Sequence, residues 1–68
     1  MSNLKTELLI TNYEVIVETL QSDNLSLVST LQSAIKNNNT SFVNNLLRKI
    51  KVNNEVIYHT LEKLHSLS

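Results

Sequence analysis

Cysteine, proline, glycine and tryptophan are all missing from the 68 residues, and aromatic side chains make up only 4% of them. Average usage would supply roughly five glycines and three prolines in this length, so their joint absence departs from ordinary composition. It excludes a glycine-rich phosphate loop, a glycine-dependent hairpin turn and a proline-rich linker. Without cysteine there is no disulfide framework, thiolate nucleophile or cysteine zinc site. Long apolar runs are missing as well. The longest are three residues, as at Leu8 to Ile10 and Val15 to Val17, which argues against a signal peptide or a membrane span and makes a cytoplasmic protein the expectation.

What is present is an equal supply of charge, six acidic against six basic residues, with 41% hydrophobic residues. The zero net charge disfavours non-specific polyanion binding, which depends on cations neutralising phosphates. The charges are not evenly placed. Lys5 against Glu7, Glu14, Glu18 and Asp23 gives residues 1–34 a sum of −3, while Lys36, Arg48, Lys49, Lys51 and Lys63 against Glu55 and Glu62 give residues 35–68 a sum of +3. A single domain over residues 1–68 is expected. A chain this short buries only about 60% of the surface its unfolded form exposes, so added support from a metal or a second chain is expected from size alone.

The apolar spacing predicts helices throughout, and no segment alternates with period two for long enough to be a strand. A first helix is expected from Asn3 to about Gln21. Leu9, Tyr13, Ile16 and Leu20 form its main stripe with Ile10 and Val17 beside it, and Leu4, Leu8 and Val15 form a second stripe. A surface helix of a monomer needs one apolar stripe of about 100°, so two stripes suggest burial on two sides. Ser22, Asp23 and Asn24 offer capping oxygens for a second helix carrying Leu25, Val28, Leu31 and Ile35. Asn37, Asn38 and Asn39 close it, asparagine being the commonest substitute for glycine in the left-handed conformation. Thr40 or Ser41 would cap a third helix with Phe42, Val43, Leu46, Leu47 and Ile50, and Val52 to Asn54 would separate it from a last helix with Ile57, Leu61 and Leu64. The expected fold is all-α, a small bundle of three to four short amphipathic helices, dimeric or partner-stabilised. Were the Val52 to Asn54 break only a kink, the last two helices would make one long arm and favour an extended, hairpin-like dimer.

Two segments resemble known helical motifs. Leu31 to Lys49 resembles the helix pair of an ankyrin repeat, without that family's Thr-Pro-Leu-His start or turn glycines. Thr40 to Leu64 is similar to the helix-turn-helix of small DNA-binding domains, with Leu46 and Ile50 in the first helix, Val52 in the turn, Asn53 at the cap, and Ile57 and Leu61 anchoring the second helix. That resemblance implies nucleic-acid contacts from Arg48, Lys49, Lys51, Asn54, Tyr58 and His59. Leu47 and Lys51 depart from it, standing where the motif wants a small residue and a glycine. An offset of 41 also aligns Asn12, Glu14, Val15, Ile16, Thr19 and Leu20 with Asn53, Glu55, Val56, Ile57, Thr60 and Leu61. The match does not extend outward, and both segments share a helix-start vocabulary.

Chemistry-bearing side chains are few. One aspartate, two histidines and no cysteine do not make a nucleophile, base and orienter. His59 and His65 lie about 240° apart on a helix, which is wrong for a shared metal, and Glu62 with His65 supplies only two ligands. No catalytic, cofactor-binding or metal residue is therefore assigned, and no enzyme activity or small-molecule substrate is expected. The expected role is a small protein–protein interaction module (a regulator, adaptor or chaperone-like subunit) using Leu9, Tyr13, Ile16, Val17 and Leu20. Its partner would be a second copy or a larger protein, with a DNA-binding regulator using residues 40–66 as the alternative.

Overall fold

The computed structural model describes residues 3–67, and these form two long helices: α1, Leu4–Lys36, and α2, Thr40–Leu67. The all-helical expectation holds. The count of three to four helices does not: α1 runs unbroken through Ser22 to Asn24, and α2 runs unbroken through Val52 to Asn54. The molecule is an antiparallel hairpin of 57 × 15 × 12 Å rather than a bundle. Its Cα radius of gyration is 15.9 Å, against about 11 Å for a compact domain of this length.

Local chemistry sets the ends of both helices. The Asn3 side chain accepts from the backbone N–H groups of Lys5 at 3.0 Å and Thr6 at 3.4 Å, filling two donors that the first turn leaves unpaired. At the turn, Asn38 has φ of 53°, the left-handed conformation that asparagine tolerates better than other non-glycine residues. The backbone N–H of Asn39 donates to Ala34 and that of Asn38 to Ile35, closing α1 without glycine. The start of α2 corrects one expectation. Asn39, not Thr40 or Ser41, caps it, its Oδ1 accepting from the Phe42 N–H at 3.2 Å.

The seam between the helices follows a strict alternation of three and four. Along α1 the buried or half-buried residues are Thr6, Ile10, Tyr13, Val17, Leu20, Asn24, Leu27, Leu31 and Ala34; along α2 they are Val43, Leu46, Ile50, Asn53, Ile57, Thr60, Leu64 and Leu67. This is the heptad pattern of a coiled coil, here closed on itself by the asparagine turn. Midway along, Asn53 Nδ2 donates to Asn24 Oδ1 at 2.9 Å and to Asp23 Oδ2 at 2.7 Å, while Asn24 Nδ2 donates to Asn54 Oδ1 at 2.9 Å. The polar segments that looked like helix breaks therefore lie opposite each other and satisfy each other. Counting outward from this layer places Leu20 level with Ile57, Val17 with Thr60, Leu27 with Ile50 and Leu31 with Leu46. A polar pair of this kind opposes register slips, because shifting one helix by a heptad would set Asn53 against Val17 or Leu31 and break its hydrogen bonds to Asn24.

Two helices make a thin core. Only Val17, Ala34, Leu46 and Thr60 are buried among the described residues. The accessible surface is 5354 Å², about 1,000 Å² above the ~4,300 Å² expected of a compact monomer of this mass.

Candidate protein-docking surface

The seam sorts the residues expected to form an interface into two groups. Val17 is 8% exposed and packs inside the hairpin, with Tyr13 and Leu20 half-buried beside it. Tyr13 also carries the Lys63 ammonium 5.7 Å from its ring centroid, a cation–π contact. Leu9 and Ile16 remain on the outside, 39% exposed each. The stripe read from the sequence mixed seam with surface: the seam runs through Ile10, Tyr13, Val17 and Leu20, one residue along from Leu9 and Ile16. On the outer side of α1, Leu8 and Val15 join Leu9 and Ile16 at helical spacing, and all four are exposed.

The same phase fixes both flanks of the hairpin. Residues following one class of seam position, Glu7, Glu14, Gln21, Val28 and Ile35 on α1 with Leu47, Asn54 and Leu61 on α2, lie along one side. Residues preceding the other class, Leu9, Ile16, Asp23 and Thr30 with Phe42, Lys49, Val56 and Lys63, lie along the opposite side. Shallow grooves confirm the division: Glu14, Glu18, Gln21, Leu61 and Leu64 line one on the first side, and Asp23, Arg48, Lys49, Val52 and Asn53 line one on the second. Two-stranded coiled coils commonly carry charges at these flanking positions. Here Leu9, Ile16, Val28, Ile35, Leu47, Val56 and Leu61 occupy many of them, each 39–55% exposed. Apolar flanks are what a helix needs when further helices pack on it.

The geometry required by the helix-turn-helix resemblance is missing, because no turn occurs at Val52. Arg48, Lys49 and Lys51 project from one continuous helix, and Asn54 is held by Asn24. Tyr58 stacks edge-on against His59 at 5.8 Å between ring centroids, and His59 Nδ1 lies 3.2 Å from Glu62 Oε1. With side chains 71% and 56% exposed, that pair contributes little to stability. Glu62 thus meets His59. Among the described residues no three histidine or acidic side chains cluster as a metal site would require, and no helix is long and apolar enough to cross a membrane.

No family model, curated protein or solved structure matches the chain.

Proposed function

We propose that this chain is a small non-enzymatic interaction module, a regulator, adaptor or chaperone-like subunit, that docks on another protein surface through the apolar positions its hairpin leaves outside. The observation that carries this reading is the exposed strip Leu8, Leu9, Val15 and Ile16 on α1, on a molecule that has already used its seam to join its own two helices. Leaving these side chains in water forgoes stabilisation of about 25 cal/mol for each Å² that a partner would cover. Exposed apolar patches of this kind mark docking sites on soluble proteins.

Photo-cross-linking from a benzoyl-phenylalanine placed at Ile16 tests the proposal, with Ser29, where the outer side of α1 becomes polar toward the turn, as the reference position. Adducts of defined mass from position 16 and none from position 29 are expected in native lysate. Equal labelling from both positions, or none from position 16, would refute the reading.

A further inference from the structure

We infer that the partner is a second copy of this chain, stacked so that the acidic side of one hairpin covers the basic side of the next. This inference rests on the docking role proposed above and goes further in naming the occupant and its polarity. The fold sorts charges from both halves of the sequence onto two sides of the hairpin. Glu7, Glu14, Glu18 and Glu55 with Lys51 give the first side a sum of −3; Lys5, Arg48, Lys49 and Lys63 with Asp23 give the second +3. By the seam register, Lys5 and Lys63 lie at nearly the same levels along the hairpin as Glu7 and Glu14. Hairpins stacked in the same direction therefore bring opposite charges together.

Each side also carries the apolar residues that stacking would cover: Val28, Ile35, Leu47 and Leu61 on the acidic side; Leu9, Ile16, Phe42 and Val56 on the basic side. All are exposed. A side of 57 by 15 Å supplies about 800 Å² per partner, the size of a standard stable interface. Pairing a side with its own kind would set net negative against net negative or net positive against net positive, whereas acid on base removes that cost. Because the two sides lie back to back, each added copy leaves one acidic and one basic side uncovered. Such a head-to-tail contact propagates or closes into a ring instead of stopping at a dimer.

Sedimentation velocity over a concentration series tests this with the intact chain and two charge-reversed variants, Glu14→Lys/Glu18→Lys and Lys5→Glu/Lys63→Glu. The wild-type average mass should rise beyond dimer with concentration. Each variant alone should fall back to the 7.7 kDa monomer, while an equimolar mixture of the two assembles again. Circular dichroism shows whether the variants keep wild-type helicity. If either unfolds, the salt response of the wild type decides, assembly weakening at about 0.5 M where exposed charges are screened within ~4 Å. A wild type that stays monomeric, a mixture of folded variants that does not assemble, loss of assembly in only one variant, or salt-independent assembly would overturn the inference. A monomeric wild type that still cross-links another protein from position 16 would leave the docking role standing.

Discussion

Adjacent leucines on α2 provide the sharpest test of the helix phase. Leu46 is 3% exposed and Leu47 is 48% exposed, so truncating each to alanine changes the same chemistry at neighbouring positions with equal helix propensity. Leu46 sits level with Leu31, and its removal takes away the buried contact and leaves a cavity in the seam. Buried leucine-to-alanine changes cost about 2–5 kcal/mol, and a two-helix seam can partly collapse, so about 2–3 kcal/mol is expected. Leu47 loses only half of a leucine's transfer free energy, about 1 kcal/mol. A domain of this size has roughly 3–10 kcal/mol in total. Leu46→Ala should therefore lower Tm by roughly 10–20 °C and Leu47→Ala by a third as much, followed by circular dichroism at dilution low enough to keep the chain monomeric. Equal losses, or a larger loss for Leu47→Ala, would show that α2 is rotated from the phase described and would remove the assignment of both sides.

Other consequences concern the polar residues. Replacing Asn24 and Asn53 together by leucine should leave Tm unchanged or raise it, yet permit register slips, seen as disulfide formation between cysteine pairs one heptad out of register; a variant locked in the wild-type register would contradict the role given to the pair. Thr60 is buried with its hydroxyl donating to the Val56 carbonyl at 2.7 Å, so Thr60→Val should stabilise by roughly 0.5–1 kcal/mol in urea unfolding by removing a hydroxyl that pulls on its own helix. At the turn, Asn38→Gly should be neutral or stabilising, whereas Asn38→Val should cost about 1–2 kcal/mol because a β-branched residue resists positive φ. In a gel shift on random duplex, no retained species is expected even at about 50 mM salt, and binding that falls steeply by about 200 mM would restore the nucleic-acid alternative.

Helical periodicity, the Asn37 to Asn39 turn and the Asn3 start were all readable from the chain, because each depends on residues close in sequence. The two supposed breaks were not, and the reason is physical. Ser22, Asp23, Asn24, Asn53 and Asn54 carry side chains that compete with the helix backbone for hydrogen bonds when no other partner is near. The partners of Asp23, Asn24, Asn53 and Asn54 come from the opposite helix, about 30 residues away in the chain, and no local rule supplies that pairing. The same polar layer misled the choice of stripe. Thr6 and Asn24 belong to the seam but do not count as apolar, so Leu9, Tyr13, Ile16 and Leu20 made the more continuous aliphatic row. The exposed strip of Leu8, Leu9, Val15 and Ile16 was present in the double-stripe reading of α1; which half of it faced outward awaited the position of α2.

The asparagine layer also shapes how the hairpin closes. Zipping from the Asn38 turn, each successive pair encloses a longer loop, so Ala34 meets Val43 across a short loop while Ile10 meets Leu67 only after nearly the whole chain has been drawn in. Loop-closure cost grows with that separation. The polar layer interrupts the zipper halfway, where hydrogen bonds with demanding geometry replace adaptable aliphatic contacts. Amide exchange should accordingly divide the molecule at Asn24 and Asn53, with slow protection toward the turn and faster opening toward the free ends. The half that opens more readily contains Leu8, Leu9, Val15 and Ile16, so whatever covers that strip would also latch the hairpin shut.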